Sequence, residues 1–148
     1  MAPLQLLLVD DNATDLQLME AAFEACPQAE LILHNHAPTA LHWVEAQAQV
    51  DALPNLVLLD LHMPGMDGPA WLRALRAQPA LEQLPVLLYS LTPLHLQRQW
   101  VDPTFVYGYW QKPLTFAGMQ DQAQVLCDLW QRDHAFTPTT LMTASSMF

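Results

Sequence analysis

Short runs of apolar residues alternate along this chain with segments whose apolar positions recur at helical spacing. Three runs are predicted to be buried strands, and a polar residue closes or follows each one; they cover residues 6–9, 56–59 and 86–89. Two more strands are predicted at residues 31–36 and 105–111, the second of them rich in aromatic side chains. Strands that alternate with helices are typical of an α/β protein with a parallel sheet. The pattern therefore predicts five βα units.

Capping residues and prolines delimit the five predicted helices. Thr14 is predicted to cap the first helix, which runs at helical spacing as far as Pro27. The other helices are predicted at about residues 38–49, from near Pro69, at 94–100 between Pro93 and Pro103, and from Thr115 as the N-cap. From residue 135 onwards the sequence carries no charge and no clear period, so residues 134–148 are interpreted as a tail.

Composition excludes several classes of protein. With 148 residues, 52% of them apolar, the chain fits one ordinary domain. A net charge of -10, from 15 acids against 5 Lys and Arg, argues against nucleic-acid binding, which draws on clustered basic residues. There is no basic leader and no apolar run of about 18 residues, so we expect neither a signal peptide nor a membrane span, and a cytoplasmic location. The four glycines form no dinucleotide fingerprint.

The two cysteines do not suggest a cross-link or a metal site. Cys26 and Cys127 are too few and too distant in sequence to suggest a disulfide framework or a zinc site. Both fall on apolar helix faces. They are therefore predicted to be buried free thiols.

Charged residues collect where the predicted strands end. Asp10 and Asp11 follow the first strand, Asp60 follows the third, and Lys112 follows the fifth. The carboxyl ends of parallel strands share one rim of the sheet, which is where open α/β sheets bind ligands. Carboxylates that converge at about 4 Å repel one another by roughly 4 kcal/mol per pair at an effective dielectric near 20, so a cation is needed. The sequence predicts a divalent-cation site beside a lysine.

The ordered set of motifs resembles the receiver domains of two-component response regulators over residues 4–131. The matching residues are residues 9–12 (VDDN), residues 58–68 (LLDLHMPGMDG), Ser90, Tyr109 and Lys112 with Pro113. The resemblance implies a flavodoxin-like, doubly wound, five-stranded parallel sheet of order 2-1-3-4-5 flanked by five helices. We therefore predict a receiver domain at residues 1–133 and an uncharged C-terminal tail at 134–148.

The resemblance also implies roles for individual residues. Asp60 is the expected phosphoacceptor, attacking a phosphohistidine on a partner histidine kinase with Mg²⁺ present. Asp11, Asp60 and the backbone carbonyl of His62 are the expected metal ligands, with Asp10 acting through a water. Lys112 is expected to pair with Asp60 and then with the phosphoryl group. Pro113, which in this family commonly follows a cis peptide bond, is expected to fix the direction from which Lys112 approaches.

Switching and tuning roles follow from the same resemblance. Ser90 is expected to donate its hydroxyl to the phosphoryl group, and Tyr109 to change rotamer and so alter the face made by the fourth helix, fifth strand and fifth helix. His62, Leu91 and Thr92 are expected to tune the lifetime of the phosphoryl group. A bulky Leu91, where most receivers have a small residue, predicts a long lifetime. The protein is thus expected to assist its own phosphorylation and dephosphorylation without being an enzyme.

The surroundings of the motifs suggest partners. The long stretch between Asp11 and Asp60, the absence of an effector domain after the last helix and the tail are similar to the single-domain regulators that serve bacterial phytochrome histidine kinases. Output is then expected through protein contacts or a phosphorelay. Tyr107, Trp110 and Trp100 could form an apolar patch for a homodimer, with the tail as an arm, or the aromatics could be internal and the tail loose.

Two other classes remain as alternatives. A pseudo-receiver keeps the fold as a binding module and is never phosphorylated. A metal-dependent phosphatase also uses a strand-end aspartate, but it needs a second acid two residues later, where this chain has His62. His34, His36 and His42 are interpreted as surface residues because their spacing crosses a strand and a loop.

Overall fold

Five parallel strands form one sheet in the order β2-β1-β3-β4-β5 in the computed structural model, which describes residues 3–145. The strands are β1 (Leu4–Val9), β2 (Ala29–His34), β3 (Leu56–Leu59), β4 (Val86–Ser90) and β5 (Gly108–Gln111). The helices are α1 (Ala13–Ala22), α2 (Ala37–Gln49), α3 (Gly68–Arg76), α4 (Leu94–Trp100), α5 (Phe116–Asp133) and α6 (Pro138–Ser145). The predicted fold class and strand order are confirmed. None of the described helices is both long and apolar enough to cross a lipid bilayer.

Apolar side chains fill both faces of the sheet. Because successive residues of a strand point to opposite faces, Leu6 and Leu8 of β1 join the core under α1, α5 and α6, whereas Leu7 and Val9 join the core under α2 and α3. Burial on both faces explains why these strands are almost continuously apolar. The polar residues that follow them are left at the rim.

The helix boundaries depend on caps that the sequence identified in part. Asp67 and Thr115 cap α3 and α5 by accepting hydrogen bonds from Ala70 N and Gly118 N, and the predicted Thr115 cap is confirmed. The prediction for α1 is wrong, because Asn12 is the N-cap and accepts from Asp15 N at 3.1 Å, while Thr14 lies inside the helix. Asn is a stronger capping residue than Thr, and its side chain is at the right distance before the first turn.

Two strands differ from their predicted ranges. The second strand begins and ends two residues earlier than predicted, because Leu4 to Val9 pair in register with Ala29 to His34. The fifth strand is shorter than predicted and starts at Gly108, although Tyr107 N still donates to Val86 O at 2.8 Å. The aromatic residues at 105–107 favour a strand, but the structure places the start of β5 after them, at Gly108.

Cys26 and Cys127 form a disulfide, so the prediction of free thiols is wrong. Cys26 follows the short 3-10 turn Phe23–Ala25 that ends α1, and Cys127 lies in α5. The two helices pack side by side on one face of the sheet, which brings together residues separated by 101 positions. The separation of the two cysteines in the sequence did not predict the disulfide, because the pairing depends on the packing of α1 against α5.

The chain continues after α5 into α6, a helix that the sequence pattern did not predict. Leu141 of α6 is fully buried against β5, and its carbonyl accepts a hydrogen bond from Trp110 Nε1 at 3.1 Å. Phe136 stacks on Trp130 of α5 with ring centroids 5.8 Å apart. At Gly108 an added Cβ would lie 3.2 Å from the Leu141 Cβ, so a small residue there admits the helix.

This packing alters the expected apolar patch. Trp110 is buried beneath α6 and is not a surface residue, whereas Trp100 exposes 48% of its surface at the end of α4. Tyr107 is partly buried and donates its hydroxyl to Gln83 O. Of the three aromatics named for the patch, Trp110 is therefore excluded. Residues 146–148, at the end of the predicted arm, lie outside the described part of the chain.

Candidate functional site

Three carboxylates converge at the carboxyl ends of β1 and β3. Asp10, Asp11 and Asp60 each place one oxygen within 4.8 Å of the others. The sheet positions them, because Asp10 N donates to His34 O and Asp60 N donates to Val9 O, which extends the strand pairing by one residue. Asp10 is buried, Asp11 is exposed and Asp60 lies between these extremes. The predicted convergence is confirmed.

The backbone around Asp60 is closely packed. Asp60 Oδ1 accepts a hydrogen bond from Leu61 N at 2.8 Å. Gly68, at the start of α3, donates its N–H to Leu61 O at 2.9 Å, and a Cβ at this position would lie only 2.7 Å from the Asp60 carbonyl oxygen. Any side chain at position 68 would therefore displace the backbone of Asp60.

Lys112 enters the cluster from the end of β5. Its Nζ forms ion pairs with Asp10 and with Asp15, the latter at 3.0 Å, and lies 3.8 Å from Asp60 Oδ2. The expected pairing with Asp60 is thus present, but at a longer distance than the two other contacts. Asp15 was not predicted; its position three residues after the Asn12 cap, in the first turn of α1, was the available signal.

Lys112 reaches the cluster through a trans backbone. The described residues contain no cis peptide bond, so the cis bond associated with Pro113 is not present. Lys112 N donates to Ser90 O at 2.8 Å, which continues the pairing of β5 with β4 beyond Gln111. The strand direction is therefore sufficient to bring the ammonium to Asp10.

The charges of the cluster perturb one another. Burial raises the pKa of Asp60 to about 6; the Lys112 charge opposes this shift, the Asp10 charge adds to it, and hydrogen bonding with Leu61 and Ser90 opposes it. Burial lowers the pKa of Lys112, but Asp60, Asp10 and Asp15 outweigh it, so the pKa of Lys112 lies above its ordinary value. Lys112 is therefore charged at neutral pH, and Asp60 is a carboxylate whose charge is poorly compensated.

A second group of predicted residues borders the cluster. Ser90 is buried at the end of β4, and its hydroxyl donates to Thr92 Oγ1 at 3.2 Å and accepts from Thr92 N. Thr92 Oγ1 also shares a hydrogen bond of 2.9 Å with His62 Nε2, which joins the segment after β3 to the segment after β4. The His62 ring meets Trp100 edge to face. Leu91, predicted to overhang the pocket, exposes 56% of its surface.

Tyr109 lies beneath α4 and not at the surface. Its ring is buried, and its hydroxyl donates to the carbonyl oxygen of Val101, the residue that follows α4. A change of rotamer, as expected for a switch, would have to break this hydrogen bond of 2.7 Å. The structure therefore connects Tyr109 directly to the end of α4.

The sequence of the chain matches a known protein family. Residues 6–122 match the family described as the response regulator receiver domain. The chain belongs to this family. The sequence resemblance is thereby confirmed, and the acidic rim occupies the carboxyl ends of β1 and β3 in a receiver fold.

Relatives of this receiver include regulators of larger size. Response regulator PleD of Caulobacter vibrioides is 39% identical over 86 residues, which are 58% of this chain and 18% of PleD. Response regulator Rcp1 of Synechocystis sp. is 31% identical over 91 residues, 60% of this chain and 62% of Rcp1. The chain thus spans less than two thirds of the length of these curated relatives.

Solved structures share the fold of this receiver. The phosphorylated cyanobacterial phytochrome response regulator RcpA superposes with a TM-score of 0.78 at 22% identity, covering 93% of this chain and 99% of RcpA. The Mn²⁺-bound form of Rcp1 superposes with a TM-score of 0.75 at 23% identity, covering 90% and 99%. The resemblance to phytochrome response regulators holds at the level of the fold.

The residues of this receiver fit a hard divalent cation. Carboxylate oxygens are the ligands that Mg²⁺ and Mn²⁺ prefer, and three of them converge here. Beside Asp11 lies an open cavity of about 380 Å³ lined also by His62, Met63, Pro64 and Asp67, which leaves room for waters on the cation. Within residues 3–145 this is the only cluster found with metal-ligand geometry, and His34, His36 and His42 form none.

Proposed function

We propose that this receiver accepts a phosphoryl group on Asp60 from a phosphohistidine of a partner histidine kinase. The observation that supports it most is the convergence of Asp10, Asp11 and Asp60 within 4.8 Å beside the buried ammonium of Lys112 in a receiver fold. In the transfer, a carboxylate oxygen of Asp60 bonds to phosphorus while the P–N bond breaks and its electron pair returns to the imidazole.

Different residues of the chain would position the phosphoryl group and compensate its charge. Asp11, Asp60 and the His62 carbonyl would hold Mg²⁺, with Asp10 acting through a water, and the ion supplies charge neutralisation to the phosphoryl oxygens. Lys112 already lies 3.8 Å from Asp60 Oδ2 and would pair with the phosphoryl group. Ser90 would donate its hydroxyl to the same group.

The phosphoryl group stays on the chain, so the output is a shift in conformation and not a released product. Ser90 and Tyr109 are the proposed switch residues, supported by the hydrogen bond of Tyr109 to the end of α4. His62, Leu91 and Thr92 are proposed to set a long phosphoryl lifetime, since His62 and Thr92 hydrogen-bond to each other at 2.9 Å and Leu91 is bulky. The protein assists its own phosphorylation and dephosphorylation and is not otherwise catalytic.

A bacteriophytochrome kinase or a phosphotransfer protein in the cytoplasm is the proposed partner. The support is the fold similarity to RcpA, whose name gives it as a phytochrome response regulator. A homodimer through the α4, β5 and α5 face is also proposed, with residues 1–133 as the receiver and residues 134–148 as an extension that contributes to the contact. Trp100, which exposes 48% of its surface at the end of α4, is the candidate anchor of the dimer. Loss of dimers on Trp100→Gln in sedimentation would support it.

Intact-mass spectrometry with a small phosphodonor tests the proposed function. Wild type, Asp60→Asn and the control Asp121→Asn, which changes an exposed carboxylate of α5, are incubated with phosphoramidate and Mg²⁺. We expect one phosphoryl group on wild type and on the control, and none on Asp60→Asn or without Mg²⁺. No mass gain in wild type would indicate a pseudo-receiver, and multiple turnover of external phosphoesters would indicate a phosphatase.

A further inference from the structure

Gln97 of α4 has a buried polar side chain that lies between the site and β5. It exposes 0% of its surface. Its amide Nε2 donates to Thr92 O at 2.8 Å and to Trp110 O at 3.0 Å, and lies 3.5 Å from Ser90 O. One side chain therefore connects α4 with the segment that leaves β4 and with the end of β5.

The amide oxygen of Gln97 has no hydrogen-bond partner among the described residues. A buried acceptor without a donor destabilises the fold, and an apolar residue such as Met would avoid that cost. Turning the amide over would place its oxygen against three carbonyl oxygens, so the surroundings dictate the observed orientation. The contribution of Gln97 is therefore its N–H donors.

Those donors act on the segment that carries the hydroxyl groups of the site. Gln97 holds the carbonyl of Thr92, and Thr92 binds the Ser90 hydroxyl through both its own hydroxyl and its backbone N–H. Thr92 also meets His62 across the site. Fixing the Thr92 backbone thus fixes the position of the Ser90 oxygen, whose proton can turn from Thr92 Oγ1 toward Asp60.

We propose that Gln97 is a positioning residue that holds residues 90–92 against α4 and β5, so that the Ser90 oxygen stays within reach of Asp60 and its hydroxyl can donate to the phosphoryl group arriving there. Gln97 itself touches none of the reacting atoms and acts through Thr92 and Ser90. The inference rests on the proposed function, because it concerns the rate at which Asp60 is phosphorylated.

The test measures the initial rate of phosphorylation by phosphoramidate and Mg²⁺ in the full chain. Gln97→Met is compared with Gln99→Met, the same substitution at an exposed position of the same helix, each with Ser90 present and in a Ser90→Ala background. We expect Gln97→Met to lower the rate about tenfold with Ser90 present and less than about twofold with Ser90→Ala, where the positioned hydroxyl is gone. Gln99→Met should leave both rates unchanged.

The inference would be overturned by equal losses from Gln97→Met in both backgrounds, or by rates that match those of Gln99→Met. Mg²⁺ affinity of the unphosphorylated protein is the control for general disruption, and it should not change, since Gln97 contacts none of the three carboxylates; a lost affinity would also count against the inference. If Gln97→Met does not fold, Gln97→Asn, which keeps an amide too short to reach all three carbonyls, is judged by the same criteria. A wild type that takes no phosphoryl group contradicts the proposed function, and the inference with it, whereas equal losses contradict the inference alone.

Discussion

Asp60 is a carboxylate in surroundings that oppose its charge. Burial raises its pKa to about 6, and the neighbouring Asp10 adds to the effect although Lys112 and the Leu61 N–H oppose it. Without a divalent cation the folded chain therefore holds an ionised Asp60 at neutral pH with a loss of stability. A bound cation beside Asp60 would therefore stabilise the protein.

Asp60→Asn should raise the stability of the metal-free protein at neutral pH. The pKa of Asp60 is higher in the folded chain than in the unfolded chain. The contribution of protonated Asp60 to stability is therefore fully present below about pH 4 and is lost as the pH rises through about 6. We expect a gain of about 2 kcal/mol in the free energy of unfolding at pH 7.5 and almost none at pH 4. Urea unfolding in EDTA measures it, with Asp121→Asn as control; equal effects at both pH values would contradict the account.

Lys112 is the cation that permits three carboxylates to share the rim. It is 5% exposed by side chain and contacts Asp10, Asp15 and Asp60. Removing one partner of a buried charge cluster leaves uncompensated charge, which costs about 3–5 kcal/mol.

Lys112→Met should accordingly destabilise the metal-free protein by about 3 kcal/mol at pH 7.5. Mg²⁺ should restore part of this loss, because it supplies positive charge to Asp10 and Asp60, two of the three carboxylates that Lys112 contacts. Chemical denaturation with and without Mg²⁺ measures both effects, and Lys112→Met that is as stable as wild type in EDTA would show that the lysine does not compensate the cluster. The matched control is Arg98→Met, which removes an exposed cation of α4.

At the scale of elements, α6 protects one face of β5. Leu141 is fully buried, and Trp110 donates to its backbone. Leu141→Ala should reduce the free energy of unfolding by about 2–4 kcal/mol, as expected for a buried leucine that leaves a cavity. The control Leu114→Ala changes a leucine that is 94% exposed and should have little effect. Similar small losses from both substitutions, measured by thermal unfolding, would mean that α6 does not pack on β5.

The disulfide joins the end of α1 to α5 and closes a loop of 101 residues. A cross-link of this span restricts the unfolded chain, and for a loop of about 100 residues the chain-entropy model gives up to about 5 kcal/mol. Adding a reductant should therefore lower the melting temperature of wild type. Cys26→Ser/Cys127→Ser should melt at the lower temperature with or without reductant. A wild type that melts at the same temperature in both conditions would contradict the contribution of the bond.

At the scale of the whole molecule, local pattern determined most of what could be predicted. The strands, their order and the rim residues Asp10, Asp11, Asp60 and Lys112 follow from runs of apolar residues that end in charge, together with the family resemblance. A parallel sheet aligns such ends without further information. That is why the carboxylate cluster could be predicted from the sequence.

The features that the sequence did not predict depend on which helices and strands pack against one another. Asp15 reaches Lys112 because α1 begins beside the rim, and Cys26 meets Cys127 because α1 packs on α5. The short uncharged segment of α6 has a weak helical pattern. Its position is fixed by the contact of Leu141 with β5. Gln97 likewise carries no signal in the sequence, since its partners are backbone carbonyls from two other segments.

Asp60, and no other carboxylate of the cluster, is proposed to take the phosphoryl group. The direct measurement is borohydride reduction of the phosphorylated chain, which converts an aspartyl phosphate to homoserine, followed by peptide mass spectrometry to locate the changed residue. The account predicts homoserine at position 60 alone, and only when Mg²⁺ was present during phosphorylation. Homoserine at position 10 or 11, or no conversion in a chain that binds Mg²⁺, would contradict it.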